Sequence, residues 1–413
     1  MDEHMIAEVV AQSACPGCES TRMRALAAAT ERRIFVTDGT EMAARIGVSC
    51  CSDCGLIFLN PRLSAEALRA YYAKQSRMPR GTVSSDSPLR QMTALQITLI
   101  TGHKALGSSS KALEIGCAEG YFLEDLGQRI PGIQLVGLEP SGRYANAARE
   151  RLPQAQIHEV FLDQMGFAHG EFDLIVVRHV LEHLPEPVQA LKSLRPLLAP
   201  NGAIYIEVPN TARIVPAMCH FFQYEHLTYF TQETMGGCLA RAGFLPKLIE
   251  AHEGYAAGSG FSYPVLRVMS EAADIGLPRN FPDQPERIWN AFLQDDAAFV
   301  SAVLAPLKQR LDQHADRGRR LGLFGAGPHT MDLLDRLSPT RYPWRVVFDN
   351  NQNKAGKSLM GIPISLPTAE TLSSVDAILV SSAEFEAEMV MQARSLVGNQ
   401  VEIIPIYGKY ASL

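Results

Sequence analysis

The sequence predicts an α/β protein made of three modules, on three observations. Five of the eight cysteines fall within the first 54 residues, which sets that segment apart. From residue 111, short apolar runs alternate with stretches of helical periodicity, a pattern typical of a parallel sheet with helices on both faces. A second alternation of this kind begins at Arg320. We expect a cysteine-containing module and helix over 1–75, a central α/β domain over 76–275 and a C-terminal α/β domain over 276–413.

The composition is that of a globular protein without a polyanionic partner. Hydrophobic residues make up 46% and charged residues 20%, the balance of a chain that buries a core. A net charge of −6 argues against nucleic-acid binding, which needs a basic face. No apolar run reaches the roughly 18 residues that cross a bilayer, and the acidic N-terminus is unlike a secretory signal. We expect a cytoplasmic protein with reduced thiols and a small-molecule substrate.

The clustered cysteines form two C-x-x-C pairs, Cys15–Cys18 and Cys51–Cys54, separated by 32 residues. Each pair places two thiolates on one side of a tight turn, and two pairs complete a tetrahedral Zn²⁺ site. Because protein ligands fill all four positions, such a site is structural. Using Cys50 in place of Cys51 would break the spacing, so we expect Cys50 to lie outside the site. The segment has few basic residues, which favours a scaffold over a nucleic-acid-binding ribbon.

The elements of the first two modules can be placed from the apolar pattern. A helix is predicted over 64–75 with Ser64 as N-cap, a polar loop over 76–88 and a second helix over 89–104. The strands of the central domain are predicted over 112–115, 134–138, 174–177 and 203–208. Its helices are predicted over 122–129, 144–151 and 188–198. A long amphipathic helix or helix pair over 286–316 precedes the C-terminal domain.

The turn after the first central strand carries small residues at Gly116, Ala118 and Gly120. Small residues let the backbone turn sharply and approach a ligand closely. The spacing differs from G-x-G-x-x-G, which brings a helix N-terminus onto a pyrophosphate. The spacing therefore suits a nucleoside ligand without a phosphate. S-adenosylmethionine (SAM) is such a ligand, because it carries a sulfonium cation and an amino-acid tail in place of a phosphate. Acidic side chains such as Glu114 and Glu119 near the turn suit that ligand.

The second central strand ends at Glu139-Pro140, 23 residues after Gly116. An acidic side chain at this offset accepts hydrogen bonds from both hydroxyls of a ribose. Phe161 and Asp163 follow the third strand, where an aromatic face and a carboxylate suit an adenine. The turn, Glu139 and this pair together predict a nucleoside site at one edge of the sheet.

These motifs resemble those of the class I SAM-dependent methyltransferases. The resemblance is carried by Glu114-x-Gly116-x-x-x-Gly120, by Glu139 and by the block 172–184, FDLIVVRHVLEHL. It implies a Rossmann-like central domain, in which Ala118 replaces a frequent glycine. The implied cofactor-binding residues are Glu114, Gly116, Ala118, Gly120, Tyr121, Glu139, Pro140, Phe161, Asp163, Arg178, His179 and His183.

The layout of the whole chain resembles sugar C-methyltransferases, which act on nucleotide-linked keto-deoxysugars. In that family a Tyr-His-Glu-His motif supplies a base that generates an enolate for carbon methylation. Glu225 and His226 match its last two residues, whereas Gln223 and Tyr224 stand in place of its Tyr and first His. The resemblance therefore makes His226 the expected base, with Glu225 beside it and Tyr224 positioning the acceptor through its hydroxyl.

Other interpretations of the acceptor side stay open. The segment around His226 is also consistent with ordering a loop over SAM, and O- or N-methylation would tolerate the two departures from the motif. In the C-terminal domain, Gly325-Ala326-Gly327 and Asp349 predict a second Rossmann-like turn. The resemblance implies that this domain holds the nucleotide part of the acceptor. The alternatives are a purely structural domain and an NAD(P)-dependent oxidoreductase. His329 would contact the acceptor or cap its helix.

Overall fold

The structure is a computed structural model of the chain. It describes residues 5–35, 41–74, 83–84, 87–164, 166–212, 222, 224–253, 264–273, 285–337, 340–382 and 385–407. Most of the loop predicted over 76–88, together with Cys219 and Gln223, lies outside the described residues.

The N-terminal module consists of a mostly antiparallel sheet, a separate two-stranded sheet and a helix. Its strands are β1 (Met5–Ile6), β2 (Val9–Val10), β3 (Met23–Phe35), β4 (Glu41–Cys51), β5 (Ile57–Leu59) and β6 (Arg62–Leu63). The long hairpin β3–β4 dominates it, and β5 pairs with β4. Helix α1 (Ala65–Lys74) begins where expected, because Ser64 Oγ accepts a hydrogen bond from the Ala67 N–H at 3.1 Å. This helix buries Leu68 and Tyr71 in the core beneath the sheet.

The central domain is a seven-stranded sheet with helices on both faces. Its strands are β7 (Lys111–Ile115), β8 (Gln134–Leu138), β9 (Gln156–His158), β10 (Phe172–Arg178), β11 (Leu198–Pro209), β13 (Phe244–His252) and β14 (Val265–Ala272), and the short β12 (Thr228–Tyr229) lies outside this sheet. Its helices are α2 (Pro88–His103), α3 (Tyr121–Arg129), α4 (Gly142–Arg151), α5 (Pro187–Leu194) and α6 (Gln232–Ala242).

The strand order β13-β14-β11-β10-β7-β8-β9 places the first strand of the domain in the middle of its sheet. Strands β9, β8, β7, β10 and β11 are parallel, whereas β14 is antiparallel to both of its neighbours. The chain leaves β7 for β8 on one side and later returns to β10 on the other. A crevice opens at such a switch point, outside the carboxyl ends of the strands, and it is where open α/β sheets bind ligands.

One strand pair joins the N-terminal module to the chain of the central domain. Thr228 and Tyr229 of β12 pair antiparallel with Phe58 and Ile57 of β5. The segment that carries Glu225 and His226 therefore runs directly into the N-terminal sheet.

The C-terminal domain repeats the α/β pattern. Helices α7 (Pro285–Phe299) and α8 (Ala305–Asp316) lead into it and are joined by a π-helical stretch over Val300–Leu304. Its sheet has the order β17-β18-β16-β15-β19-β20. These strands are β15 (Leu321–Phe324), β16 (Trp344–Phe348), β17 (Ser358–Leu359), β18 (Ile362–Ser365), β19 (Ala377–Val380) and β20 (Glu402–Pro405), with helices α9 (Pro328–Leu337), α10 (Ala369–Leu372) and α11 (Glu386–Val397).

The α/β prediction with two Rossmann-like sheets is confirmed, with one local correction. The helix predicted over 188–198 ends at Leu194, is followed by a 3₁₀ turn over Arg195–Leu197, and gives way to β11 at Leu198. Pro196 explains the difference, because a proline disfavours the helical conformation of the residue before it and removes a donor. Among the described residues, no helix is long and apolar enough to cross a bilayer.

Candidate active site

The turn after β7 has the conformation that close approach to a ligand requires. Gly116, Ala118 and Gly120 all have positive φ, at 69°, 46° and 79°. The Gly116 and Cys117 N–H groups donate to the Leu138 carbonyl at 2.8 and 3.0 Å, which ties the turn to the end of β8. Ala118 holds a left-handed conformation that costs an L-residue about 1–2 kcal/mol. A strained residue in a turn at the switch point is typical of a ligand-binding loop.

Glu139 lies beside this turn and is 7% exposed. Its Oε2 accepts a hydrogen bond from the Ala118 N–H at 3.0 Å, and its Oε1 accepts one from the Ser141 N–H at 2.8 Å. A carboxylate has about four acceptor positions, so each oxygen keeps one. Two remaining positions are what the two hydroxyls of a ribose need. The residues present therefore fit the nucleoside part of SAM.

The titration of Glu139 should control SAM binding. Burial raises the pKa of Glu139 to about 7, although the Ser141 and Ala118 N–H groups act against this rise. Because the pKa of Glu139 in the folded protein lies above its ordinary value, ionisation of Glu139 opposes folding. The ribose hydroxyls bind the ionised form of the carboxylate. We expect SAM affinity to be constant above pH 7 and to fall towards tenfold per pH unit well below it. Calorimetric titration between pH 8 and pH 5.5 measures this dependence. Glu139→Gln is the control and should abolish it, and a flat profile in the unmodified protein would contradict the assignment.

A residue of the N-terminal module contacts both side chains that were predicted to bind the adenine. Arg69 of α1 forms an ion pair with Asp163, and its guanidinium lies 5.5 Å from the centroid of the Phe161 ring. Both predicted residues therefore contact the N-terminal module, and Asp163 is exposed. The sequence pattern did not indicate Arg69, because its partners are more than 90 residues away.

Glu114 is fully buried in an ion pair with Arg178. The Arg178 Nη2 and Nε lie 2.7 and 3.0 Å from Glu114 Oε1, and its Nη1 donates to Gln96 Oε1 at 2.8 Å. The Arg178 guanidinium also lies 4.3 Å from the centre of the Phe122 ring. These two predicted cofactor-binding residues thus support the strands behind the turn. Tyr121 starts α3, and its ring packs between Arg151 and Arg90.

His179 lies between two buried carboxylates at the end of β10. Its Nε2 is 3.2 Å from Glu207 Oε1 and its Nδ1 is 3.5 Å from Glu182 Oε1. Burial opposes a charge on His179, yet the two carboxylates raise its pKa to about 10. Gln96 Nε2 also donates to Glu207, at 2.7 Å. We call the turn at Gly116–Gly120 the SAM turn. A continuous polar network therefore connects the strands behind the SAM turn with the loop that follows β10.

The predicted acceptor residues meet this loop. His183 Nδ1 lies 2.9 Å from the Glu225 carbonyl oxygen and 2.8 Å from the Tyr72 hydroxyl. The rings of His183 and His226 are 4.8 Å apart, edge to face. Burial raises the pKa of Glu225 to about 7, whereas burial and the neighbouring His183 lower the pKa of His226 to about 3. The structure therefore places Glu225, His226 and His183 in one cluster.

Two tyrosines of α1 complete the cluster and were missed at the level of sequence. The Tyr71 hydroxyl donates to the Glu225 carboxylate, and it lies 3.5 Å from the Tyr224 hydroxyl, whose ring it meets edge to face. Tyr72 contacts His183 through its hydroxyl. Both tyrosines follow the apolar face of an amphipathic helix, so their pattern alone indicates core packing.

The four cysteines lie together as predicted. The Sγ atoms of Cys15, Cys18, Cys51 and Cys54 are within 4.8 Å of one another. Neighbouring pairs are 3.6 Å (Cys15–Cys54) and 3.5 Å (Cys18–Cys51) apart. Four sulfurs around a zinc ion with 2.3 Å bonds are about 3.8 Å apart, so the cluster fits a Zn²⁺ ion closely. The N–H groups of Gly17 and Asp53 point at Cys15 and Cys51, as suits thiolates. Cys50 is buried outside the cluster.

The C-terminal turn differs from the SAM turn in one decisive contact. The Ala326 N–H donates to Asp349 Oδ2 at 2.8 Å, much as Ala118 does to Glu139. However, the Lys354 ammonium lies 3.1 Å from the same oxygen and 2.6 Å from the Ala326 carbonyl. A lysine thus covers the carboxylate that would bind the ribose of a dinucleotide. His329 is held by Ser381 and Tyr407 at 2.9 and 2.6 Å.

Fold and site define the central domain as a SAM-dependent methyltransferase domain, and the comparisons agree. Residues 91–246 match the family described as methyltransferase domain. Over the whole chain, C-methyltransferase NovU of Streptomyces niveus is 22% identical across 394 residues, covering 89% of this chain and 87% of that protein.

Two further similarities cover the central part of the chain. Ubiquinone biosynthesis O-methyltransferase of Acinetobacter baylyi is 25% identical over 129 residues, 30% of this chain and 53% of that protein. The chain thus spans about half the length of that relative. The crystal structure of N-methyltransferase NodS from Bradyrhizobium japonicum WM9 is 21% identical, covers 46% of this chain and 100% of that one, and superposes with a TM-score of 0.36.

Proposed function

We propose that the protein transfers the methyl group of SAM to a carbon next to the keto group of a nucleotide-linked deoxysugar. The observation that carries this proposal is the cluster of Tyr71, His183, Glu225 and His226 in the loop after β10, the strand next to β7 and its turn. Carbon methylation needs a proton acceptor next to the methyl donor, and this cluster offers both a carboxylate and an imidazole. The similarity to C-methyltransferase NovU over most of the chain supports the same reaction.

The residues of the cluster have separate tasks in this reaction. When bound, SAM supplies an electrophilic methyl carbon. A base takes the proton from the acceptor carbon, and the electron pair left on that carbon forms the new bond as the methyl–sulfur bond breaks. His226 is the expected base; its pKa is lowered to about 3 rather than near neutral, so the imidazole is uncharged and available to accept a proton at neutral pH, and Glu225 next to it is held by the Tyr71 hydroxyl. The fixed orientation of the acceptor contributes the largest part of the rate, as in other bimolecular transfers.

The other modules support this chemistry in the proposal. Cys15, Cys18, Cys51 and Cys54 hold a structural Zn²⁺ ion, and their need for reduced thiols favours the cytoplasm. The C-terminal domain binds the nucleotide part of the acceptor, with domain limits near residues 75 and 275. An oxidoreductase using the C-terminal turn is disfavoured by the Lys354 contact with Asp349.

O-methylation is the second candidate function, because Gln223 and Tyr224 depart from the C-methyltransferase motif. The similarity to the ubiquinone O-methyltransferase does not separate the two reactions, since it covers only 129 residues.

A labelled-methyl experiment tests the proposed function. We expect protein incubated with methyl-labelled SAM and a panel of nucleotide-linked keto-deoxysugars to place the label on carbon, as read by NMR of the product.

His226→Asn should lower kcat by about 100-fold or more with an unchanged Kd for SAM, the usual contribution of a general base. His103→Asn, at the exposed end of α2, is the matched control and should keep full activity. A label on oxygen would refute carbon methylation, and full turnover of His226→Asn would refute its role as base.

A further inference from the structure

Helix α7 turns a row of apolar side chains towards the segment that carries the acceptor residues. Ile288, Trp289 and Phe292 have the spacing of one helix face. Ile288 is 3% exposed and lies in the same buried core as Tyr71 and Tyr224. Trp289 and Phe292 are half-buried and pack against that core. The first half of α7 therefore belongs to the acceptor side, although the sequence pattern places this helix in the C-terminal domain.

The ring of Phe222 connects α7 with β12. Its centroid lies 5.2 Å from the Trp289 ring and 4.9 Å from the Phe292 ring, and the Tyr229 ring of β12 is 4.6 Å away. Trp289 and Phe292 are themselves in contact, with centroids 5.3 Å apart. We call these four rings the aromatic cluster. Each aromatic pair contributes about 0.5–1.5 kcal/mol beyond the area that it buries, so the aromatic cluster holds Phe222 against α7.

The segment 222–228 carries Glu225 and His226 and is anchored at both ends. At its C-terminal end, β12 pairs with β5, and the Leu227 N–H donates to the Glu182 carbonyl at 2.7 Å. At its N-terminal end, the aromatic cluster is the side-chain anchor. A catalytic group has to be held within about 0.5 Å of its productive position, and a segment anchored at one end only does not meet that requirement.

We infer that Trp289 is a positioning residue of the proposed acceptor site, because its indole holds Phe222 and thereby the segment that carries Glu225 and His226. The indole acts through this ring contact and does not reach the reacting atoms. The ion pair of Glu286 with an arginine of β3 fixes the same turn of α7 to the N-terminal module. The role of Trp289 in catalysis rests on the proposed function, whereas its hold on the segment does not.

Two variants at position 289 test the inference through catalysis. Trp289→Ala removes the indole, so Phe222 loses a ring contact and the segment moves. We expect kcat for the acceptor found in the labelled-methyl experiment to fall by about 10- to 100-fold at an unchanged Kd for SAM, since a displacement of about 1 Å has an effect of this size. Trp289→Phe keeps an aromatic ring and should retain most of the activity. Leu293→Ala removes an exposed side chain of the same helix and is the matched control.

The titration of His226 gives a second measurement that requires no acceptor. Burial is the main reason why the pKa of His226 is lowered to about 3, and His183 and His179 lower it further against the opposing effect of Glu182. When the segment moves, water reaches the imidazole. We therefore expect Trp289→Ala to raise the pKa of His226 by about one unit or more, as read by NMR of the histidine ring, and Trp289→Phe to leave it low.

The outcomes separate this inference from the proposed function. A kcat and a His226 titration that are the same in Trp289→Ala and Leu293→Ala would overturn the positioning role, even if the melting temperature of Trp289→Ala is lower. A pKa of His226 that rises in Trp289→Ala alone supports that role even if none of the keto-deoxysugars is methylated, and then only the proposed acceptor falls. Phe292→Ala removes the other α7 ring from Phe222 and decides the question by the same titration where Trp289→Ala does not fold.

Discussion

Replacing Glu139 with alanine will weaken SAM binding by about 100-fold or more. The side chain offers one free acceptor position on each oxygen, and each charge-assisted hydrogen bond to a ribose hydroxyl is worth about 1.5–3 kcal/mol. The folded protein itself should tolerate the change, because the raised pKa of Glu139 means that its ionisation opposes folding at neutral pH. Isothermal titration calorimetry with SAM measures the affinity, and thermal unfolding without SAM monitors the fold.

Glu150→Ala is the matched control for this variant. Glu150 is an exposed carboxylate on α4 of the same domain, so its loss should leave SAM affinity unchanged. If Glu139→Ala binds SAM as tightly as Glu150→Ala does, the nucleoside site lies elsewhere, and the assignment of the turn at Gly116–Gly120 is wrong.

Replacing Cys15 with serine will abolish the proposed zinc binding of the N-terminal module and lower the melting temperature by about 10 °C or more. Binding of a structural zinc ion contributes about 10–16 kcal/mol in small zinc domains, and a loss of about 1 kcal/mol moves the melting temperature of a domain of this size by about 2–4 °C. Cys15, Cys51 and Cys54 also belong to the core that contains Phe58 and Phe230, so the loss reaches the central domain. Metal analysis and differential scanning calorimetry give the two measurements.

Cys50→Ala is the control for the cysteine site. Cys50 is a fully buried neighbour outside the cluster, so this variant should lose some stability through packing and keep one equivalent of zinc. Unmodified protein that is purified from zinc-containing medium without zinc, or Cys15→Ser protein that retains one equivalent, would contradict the structural role of the four thiolates.

The parts of the fold that depend on local sequence were predictable. Apolar runs predicted β7, β8, β10 and β11 of the central sheet but not β13 and β14, Ser64 marks the start of α1, and the doubled C-x-x-C spacing brings the four thiols together. Each of these features is set by residues within one turn, one strand or one C-x-x-C pair. The error at 195–198 also has a local cause, since the apolar pattern continues there although Pro196 ends the helix.

The polar cluster could be predicted only in part, because it depends on long-range contacts. His183, Glu225 and His226 were recognised individually, but Tyr71 and Tyr72 come from a helix more than 100 residues away. On that amphipathic helix a tyrosine in the core and a tyrosine in a site have the same spacing. Glu182 and Glu207 likewise lie within apolar stretches of the sequence, where the pattern does not distinguish a functional carboxylate from a structural one.

The pairing of β12 with β5 limits how short a fragment of the chain can be and still be active. Without the N-terminal strands, Thr228 and Tyr229 would lose their hydrogen-bond partners two residues after His226, and α1 would no longer bring its two phenols to the cluster. A fragment cut to the predicted central domain, residues 76–275, would therefore lose the geometry of its proposed acceptor side. The N-terminal module therefore belongs to the proposed acceptor site and cannot be removed without disturbing it.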